Sequence, residues 1–297
     1  MPINYPENQI HESLAAEVCK PLPTRRTIFN NGMTVLAFTL TSLALLPLAS
    51  VLIEILRQGL PRLKPEVFVS LPAPVGVTDI PDGFGNAIMG TLIMVGVASL
   101  ISIPIGLMTG IFLSEVGKGT AMGNGIRFFT SILTGIPSII AGVFAYGVIV
   151  LTFQGFSAIA GGFALAVIML PIVALTTEEA LKLVPTSQRL ASAALGANHF
   201  QTTRIIVAAA VPAITTGILL AVARAAGETA PLLFTALFSQ VWPEGLFNPT
   251  PALSVYIFNN ATTPYTDKNQ MAWTAAVVLV GLVLCISILS RLVFRRR

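Results

Sequence analysis

The chain has 297 residues, 54% of them hydrophobic and only 10% charged, and a formal net charge of +4. Soluble domains carry about 25% charged residues, so this balance excludes an ordinary water-soluble globular domain and puts the chain in a membrane. The positive excess requires no nucleic acid, because Lys and Arg on loops facing anionic lipid headgroups account for its sign.

In chain order, residues 1–32 are polar and rich in Pro and Asn. They predict a flexible tail and lack the apolar core of a cleavable signal peptide. A bilayer-spanning helix needs about 20 apolar residues, and six windows qualify: 34–56, 88–113, 126–151, 157–177, 205–227 and 272–294. The predicted fold class is therefore all-α, a polytopic membrane protein whose six transmembrane helices occupy 33–297 behind the tail. Between the first two windows, Pro61, Pro65, Pro72, Pro74 and Pro81 predict an irregular, exposed loop.

The second window contains Pro104, with Gly96, Gly106 and Gly110 available for close helix approach. Glu115 to Gly125 predicts a short turn. The third window holds Gly135-Ile-Pro-Ser-Ile-Ile-Ala-Gly142, a density of Pro and Gly that permits local unwinding against protein or a water-filled cavity. A packing kink and a pathway-lining break both fit. Cys19 and Cys285 are too far apart to suggest a disulfide framework or a metal site, and His11 and His199 stand alone, as surface or interface histidines do.

Lys and Arg fall unevenly on the two sets of loops. Twelve of the seventeen (Lys20, Arg25, Arg26, Lys118, Arg127, Lys182, Arg189, Arg204, Arg291 and Arg295 to Arg297) lie on one set, and Arg57, Arg62, Lys64 and Lys268 on the other. The positive-inside rule then makes both termini and the Gly196 loop cytoplasmic. Arg224 is the one cation assigned to neither set, and it lies inside the fifth window.

Within that loop, about 178–204, Pro185-Thr-Ser opens a helix whose Leu190, Ala193, Ala194 and Ala197 share a face, and Gly196 sits where a left-handed cap would end it. Asn198 followed by Gln201 matches a capping box for the next helix. The segment reads as helix, break, helix, projecting laterally or lying on the headgroups. In the fifth window Ala210, Ala213, Gly217, Ala221, Arg224 and Glu228 fall within about 40° of one direction, so the two charges share the small-residue face that packs against protein. Ionisable groups at such a place cost a few kcal/mol. A structural ion pair at i, i+4 spacing and a contact on the path of a charged substrate remain equal readings of charge and spacing. After Pro231, the run Leu253 to Phe258 is apolar enough to dip back toward the membrane.

Several motifs occur in order: LMTGIFLSE (107–115), IRF (126–128), GIPSIIAG (135–142), LPIVALTTEEALKLVP (170–185), ALGA (194–197), ARAAGETAPLLFTAL (223–237), TPY (263–265) and AWTAA (272–276). Through them the chain resembles the PstA-type permease subunit of the bacterial phosphate-specific ABC importer, over all but the tail; GETAPLL is the family-specific element. The resemblance implies a type I ABC importer permease fold in the bacterial inner membrane. It implies a C-type sister permease, two ATP-binding subunits and a periplasmic phosphate-binding protein as partners. It also implies no catalytic residue, metal or cofactor in this chain, ATP and Mg being held by the partner ATPases. No GxxxxGK[ST] loop occurs in the sequence.

By the same resemblance the substrate path runs by Arg224, Glu228 and Thr229, and the ATPase-coupling loop is centred on Leu190, Ala191, Ser192 and Gly196. Two departures stand out. Leu190-Ala191-Ser192 replaces the usual Glu-Ala-Ala, and Leu175 occupies a position where relatives often carry Arg. A permease for sulfate or molybdate, an ion-coupled secondary transporter and a membrane-embedded signalling or scaffold subunit are the alternatives; GETAPLL argues against the first.

Overall fold

A computed structural model describes residues 24–77 and 79–295, with side chains up to Ile288. Most of the predicted tail, with His11, Cys19 and Lys20, lies outside the described residues. The chain divides into two units, residues 24–54 and the chain from Ile55 onward. Helix α1, Thr24–Gly59, starts earlier than the predicted window. Its first turn, Thr-Arg-Arg-Thr, is helical yet polar, so a hydropathy window does not include it. Every residue from Thr24 to Ile53 is exposed.

The second unit contains α2 (Gly85–Ile111), α3 (Ala121–Gly135), α4 (Ser138–Ala145) and α5 (Ala158–Lys182). These are followed by α6 (Thr186–Ala194), α7 (His199–Gly227), the single turn α8 (Ala230–Leu233), α9 (Leu253–Ala261) and α10 (Thr266–Arg295). Five helices among the described residues, α1, α2, α5, α7 and α10, are long and apolar enough to cross a membrane. The sixth window is not one straight helix. Helix α3 and the run Ser138–Phe153, which continues α4, meet at a 104° bend, because Pro137 has extended φ and ψ and Ile136 is β-like, so neither can carry the α-helical ladder across the joint.

Helix α5 is the hub: 72% of its apolar window is buried, against 33% or less in the other spans. Leu165, Met169, Ile172 and Val173 of α5 form the main core with Met94 and Ala98 of α2, Ala221 and Ala225 of α7, and Leu232 of α8. Helix α2 reaches α5 through two glycines. A Cβ at Gly106 would lie 2.8 Å from Val173, and one at Gly110 2.6 Å from Thr177, so no side chain fits between these backbones. Gly96, on the same helix, faces open space and plays no part in the approach.

The Pro-rich connection after α1 is folded, contrary to expectation. It makes two 3-10 turns, Leu60–Arg62 and Pro65–Phe68, and buries Val67, Ala73 and Phe84. Lys268 of α10 donates to Asp82 Oδ2 at 2.7 Å and to the Ala73 carbonyl at 2.6 Å, while Asp82 Oδ1 accepts from the Ala73 N–H at 2.8 Å. Lys268 thereby staples the connection to α10. Helix α9 packs against the rest of the chain: Leu253, Val255 and Tyr256 are buried, and Tyr256 stacks at a tilt on Phe84 with ring centroids 5.4 Å apart.

Candidate functional site

Two regions contain the residues singled out by sequence, and they lie at opposite ends of α7. From His199 to Arg224 the helix rises about 38 Å at about 1.5 Å per residue, so the two regions are far apart.

At the far end, Arg224 lies in the last turn of α7, and Glu228 is its C-cap with extended φ and ψ. Arg224 Nε donates to Glu228 Oε1 at 3.3 Å, and the two side chains are 46% and 15% exposed. The expectation that Arg224 shares the buried small-residue stripe is corrected: Ala210, Ile214, Gly217, Ala221 and Ala225 are buried, whereas Ala213 and Arg224 are exposed. A helix of 3.6 residues per turn rotates Ala213 and Arg224 off that stripe, while Gly217 abuts Thr176 of α5. The pair is therefore an open one at the edge of the packed face.

It opens on a cavity of about 220 Å³ lined by Leu133, Thr134, Ile136, Ile140, Phe144, Ile168 and Ile172 together with Arg224. The bend between α3 and α4 forms one wall of this cavity, so the Gly135 to Gly142 motif lines the site as well as packing: Gly142 touches Pro231, where a Cβ would come within 2.6 Å. Arg224 is the one charged group among those lining residues. Its Nη groups have no hydrogen-bond partner among the described residues, since only Nε is engaged. Thr229 is half-buried and starts α8 without using its hydroxyl as a cap. Sequence reasoning missed Ser254 of α9, buried, whose Oγ donates to the Glu228 carbonyl at 2.8 Å. This bond fixes the turn carrying Glu228, and a pairing 26 residues apart leaves no mark in local sequence.

At the other end, α6 and α7 meet as the sequence predicts. Gly196 has φ +77°, in the left-handed region, and Asn198 and Gln201 form a reciprocal capping box at 2.9 Å each way. Ser192 is buried and its hydroxyl lies 2.9 Å from that of Thr202, which ties α6 to α7. Leu190, Ala193, Ala194 and Leu195 are exposed, as is Ala191. The apolar face of α6 thus points away from the rest of the chain.

Beside α6, at that same end, lies an ion-pair network that sequence reasoning did not assemble. Glu178 of α5, 1% exposed, accepts from Arg127 Nη2 at 2.6 Å and Nε at 3.0 Å, and from Lys182 Nζ at 2.9 Å. Glu115, 6% exposed, is bound by Arg189 of α6, which also donates to the Leu181 carbonyl at 3.0 Å. Arg127 and Glu178 both fall in motifs already noted, but they are 51 residues apart, and nothing local links them.

The sequence model of the family described as "Binding-protein-dependent transport system inner membrane component" matches residues 102–297. The protein named "Phosphate transport system permease protein PstA" of Haemophilus influenzae is 40% identical over 274 residues, covering 92% of this chain and 96% of that protein. Its namesake in Pasteurella multocida is 36% identical, covering 92% and 96%. Among solved structures, a chain of the MetNI methionine ABC transporter in an inward-facing conformation superposes with a TM-score of 0.56 at 23% identity, over 71% of this chain and 94% of that one. That likeness concerns the fold alone.

Proposed function

The chain belongs to the PstA family of phosphate transport system permeases, within the binding-protein-dependent inner membrane components, and from that premise we propose how its own residues serve the import of inorganic phosphate. It is the membrane permease subunit of an ABC importer. The observation that carries the reading of the site is the uncommitted guanidinium face of Arg224 on an otherwise apolar cavity.

Phosphate carries one to two negative charges near neutral pH, and a planar fork of N–H donors suits its oxygens. Glu228 engages Nε only, so it orients the fork while leaving both Nη groups for the anion. Its negative charge also keeps the contact weak, as release requires. Thr229, next in the chain after Glu228, carries a further hydroxyl donor that is not spent on capping α8. The apolar walls beside Arg224 lower the local dielectric on that side, which strengthens the contact while the anion is there.

The complete transporter pairs this chain with a C-type sister permease, two ATP-binding subunits that supply the nucleotide and Mg sites, and a periplasmic phosphate-binding protein. Helix α6 is the element that an ATPase would grip: it projects an apolar face, is tied to α7 through Ser192 and Thr202, and turns rigidly at Gly196. Movement of α6 would pass along α7 to Arg224, closing and opening the cavity as the ATPases hydrolyse ATP. In this arrangement both termini and α6 are cytoplasmic. Co-expression of the four partners, with reconstitution and measurement of ATP-driven phosphate uptake, tests the reading. Uptake that persists without the ATP-binding subunits, or a complex moving sulfate in preference to phosphate, would refute it.

A further inference from the structure

A second cavity, of about 500 Å³, lies at the α6 end of the molecule, remote from Arg224. Sites for small ligands have volumes of about 300–1,000 Å³, so it has room for a hydrated oxyanion. Its wall comes from four places in the chain: Leu113, Ser114, Lys118 and Gly119 after α2, Arg127 of α3, Lys182 and Val184 at the end of α5, and Thr186 and Arg189 of α6. Four of these nine residues are cations and none is acidic.

The carboxylates that partner the cations stand behind this wall. Glu178 and Glu115 are only 1% and 6% exposed, whereas the Arg127, Lys182 and Arg189 side chains are 33%, 43% and 27% exposed. Glu179, paired with Lys182 at 2.8 Å, is exposed but not part of the lining. Buried carboxylates thus hold three cations in fixed positions with their outer surfaces turned to the cavity. Lys118 completes the set: its Nζ has no protein partner among the described residues. It sits on a turn where Gly119 takes φ +77°.

We propose that this cavity is a binding site for a phosphate-bearing anion, either a lipid headgroup or free inorganic phosphate, with Lys118 as its uncompensated cation. An anion seated there would bridge the 112–120 turn, α5 and α6. It would therefore stiffen the joint on which α6 moves. The site owes nothing to the role assigned to Arg224.

The test uses the chain assembled with its partner subunits in nanodiscs of neutral phosphatidylcholine, following hydrogen exchange of backbone amides in residues 112–120 and 182–190. One arm adds inorganic phosphate; the other replaces part of the lipid with phosphatidylglycerol. Protection that rises in the first arm identifies free phosphate as the occupant, and in the second a headgroup. Lys118→Glu should raise the anion concentration needed by about tenfold or more, the factor associated with one charged hydrogen bond, and Lys118→Arg should restore it. Arg224→Gln should leave the effect intact. No change in either arm, or an unaltered response in Lys118→Glu, overturns the proposal. A response abolished by Arg224→Gln overturns it too, by assigning the effect to the translocation cavity. Protection already complete without added anion, together with cross-linking of Lys118→Cys to an ATP-binding subunit, would make an acidic segment of that partner the occupant instead.

Discussion

Arg224 meets Glu228 through one hydrogen bond, Nε to Oε1 at 3.3 Å, with Arg224 46% exposed. Exposed pairs of this kind contribute about 0–1 kcal/mol, far less than the roughly 3–5 kcal/mol lost when a fully buried pair is broken. The pair is thus a poor fastener.

Arg224→Gln is accordingly expected to leave the assembled complex at normal abundance while phosphate uptake falls about tenfold or more, as loss of a charged hydrogen bond to the anion implies. Uptake by vesicles containing equal amounts of complex measures this. The double change Arg224→Gln with Glu228→Gln should stay defective. Recovery of uptake in the double variant would make the pair structural.

Glu178 presents the opposite case, being 1% exposed and held by Arg127 and Lys182. Arg127→Ala removes its closest partner and leaves a buried carboxylate with Lys182 alone. The expected loss is about 3–5 kcal/mol, seen as a lower midpoint of thermal unfolding in detergent and reduced membrane abundance. Pairing the change with Glu178→Gln should recover much of that loss, because no uncompensated charge remains.

Gly196 separates conformation from space. A Cβ there would touch nothing within 4 Å, yet φ is +77°, so Gly196→Ala should cost only the left-handed backbone penalty, about 1–2 kcal/mol. Gly196→Asn should be better tolerated, since Asn visits that region readily. Leu195→Glu keeps the backbone and charges the exposed apolar surface at the end of α6. It should sharply reduce co-purification of the ATP-binding subunits at unchanged permease level. Normal recovery of those subunits with Leu195→Glu would show that they dock elsewhere.

On α2, Gly110→Ala and Gly96→Ala form a matched pair. The first places a methyl 2.6 Å from Thr177 and the second meets open space. Overpacking should destabilise Gly110→Ala by about 1–3 kcal/mol, whereas Gly96→Ala should be neutral or slightly stabilising, as Ala is the better helix former. Unfolding midpoints of the two variants, compared side by side, check this.

Sequence by itself determined the features whose physics is local. Continuous apolar runs gave the spans, because a bilayer admits only segments that satisfy their own backbone polar groups. Pro185, Gly196 and the Asn198 and Gln201 pair gave the boundaries of α6 and α7, because caps are chosen by neighbouring residues. Hydropathy could not show that the third window is two helices at 104°: both halves are apolar, and the bend depends on the backbone of two residues. Periodicity put Arg224 with the small residues, but only the packing of α7 against α5 decided which stripe is buried and left Arg224 open. The contacts of Arg127 with Glu178, Arg189 with Glu115, Ser254 with Glu228 and Lys268 with Asp82 all join distant segments. A charged or polar side chain chooses its partner from whatever folding brings within reach, and only the tertiary structure supplies that choice.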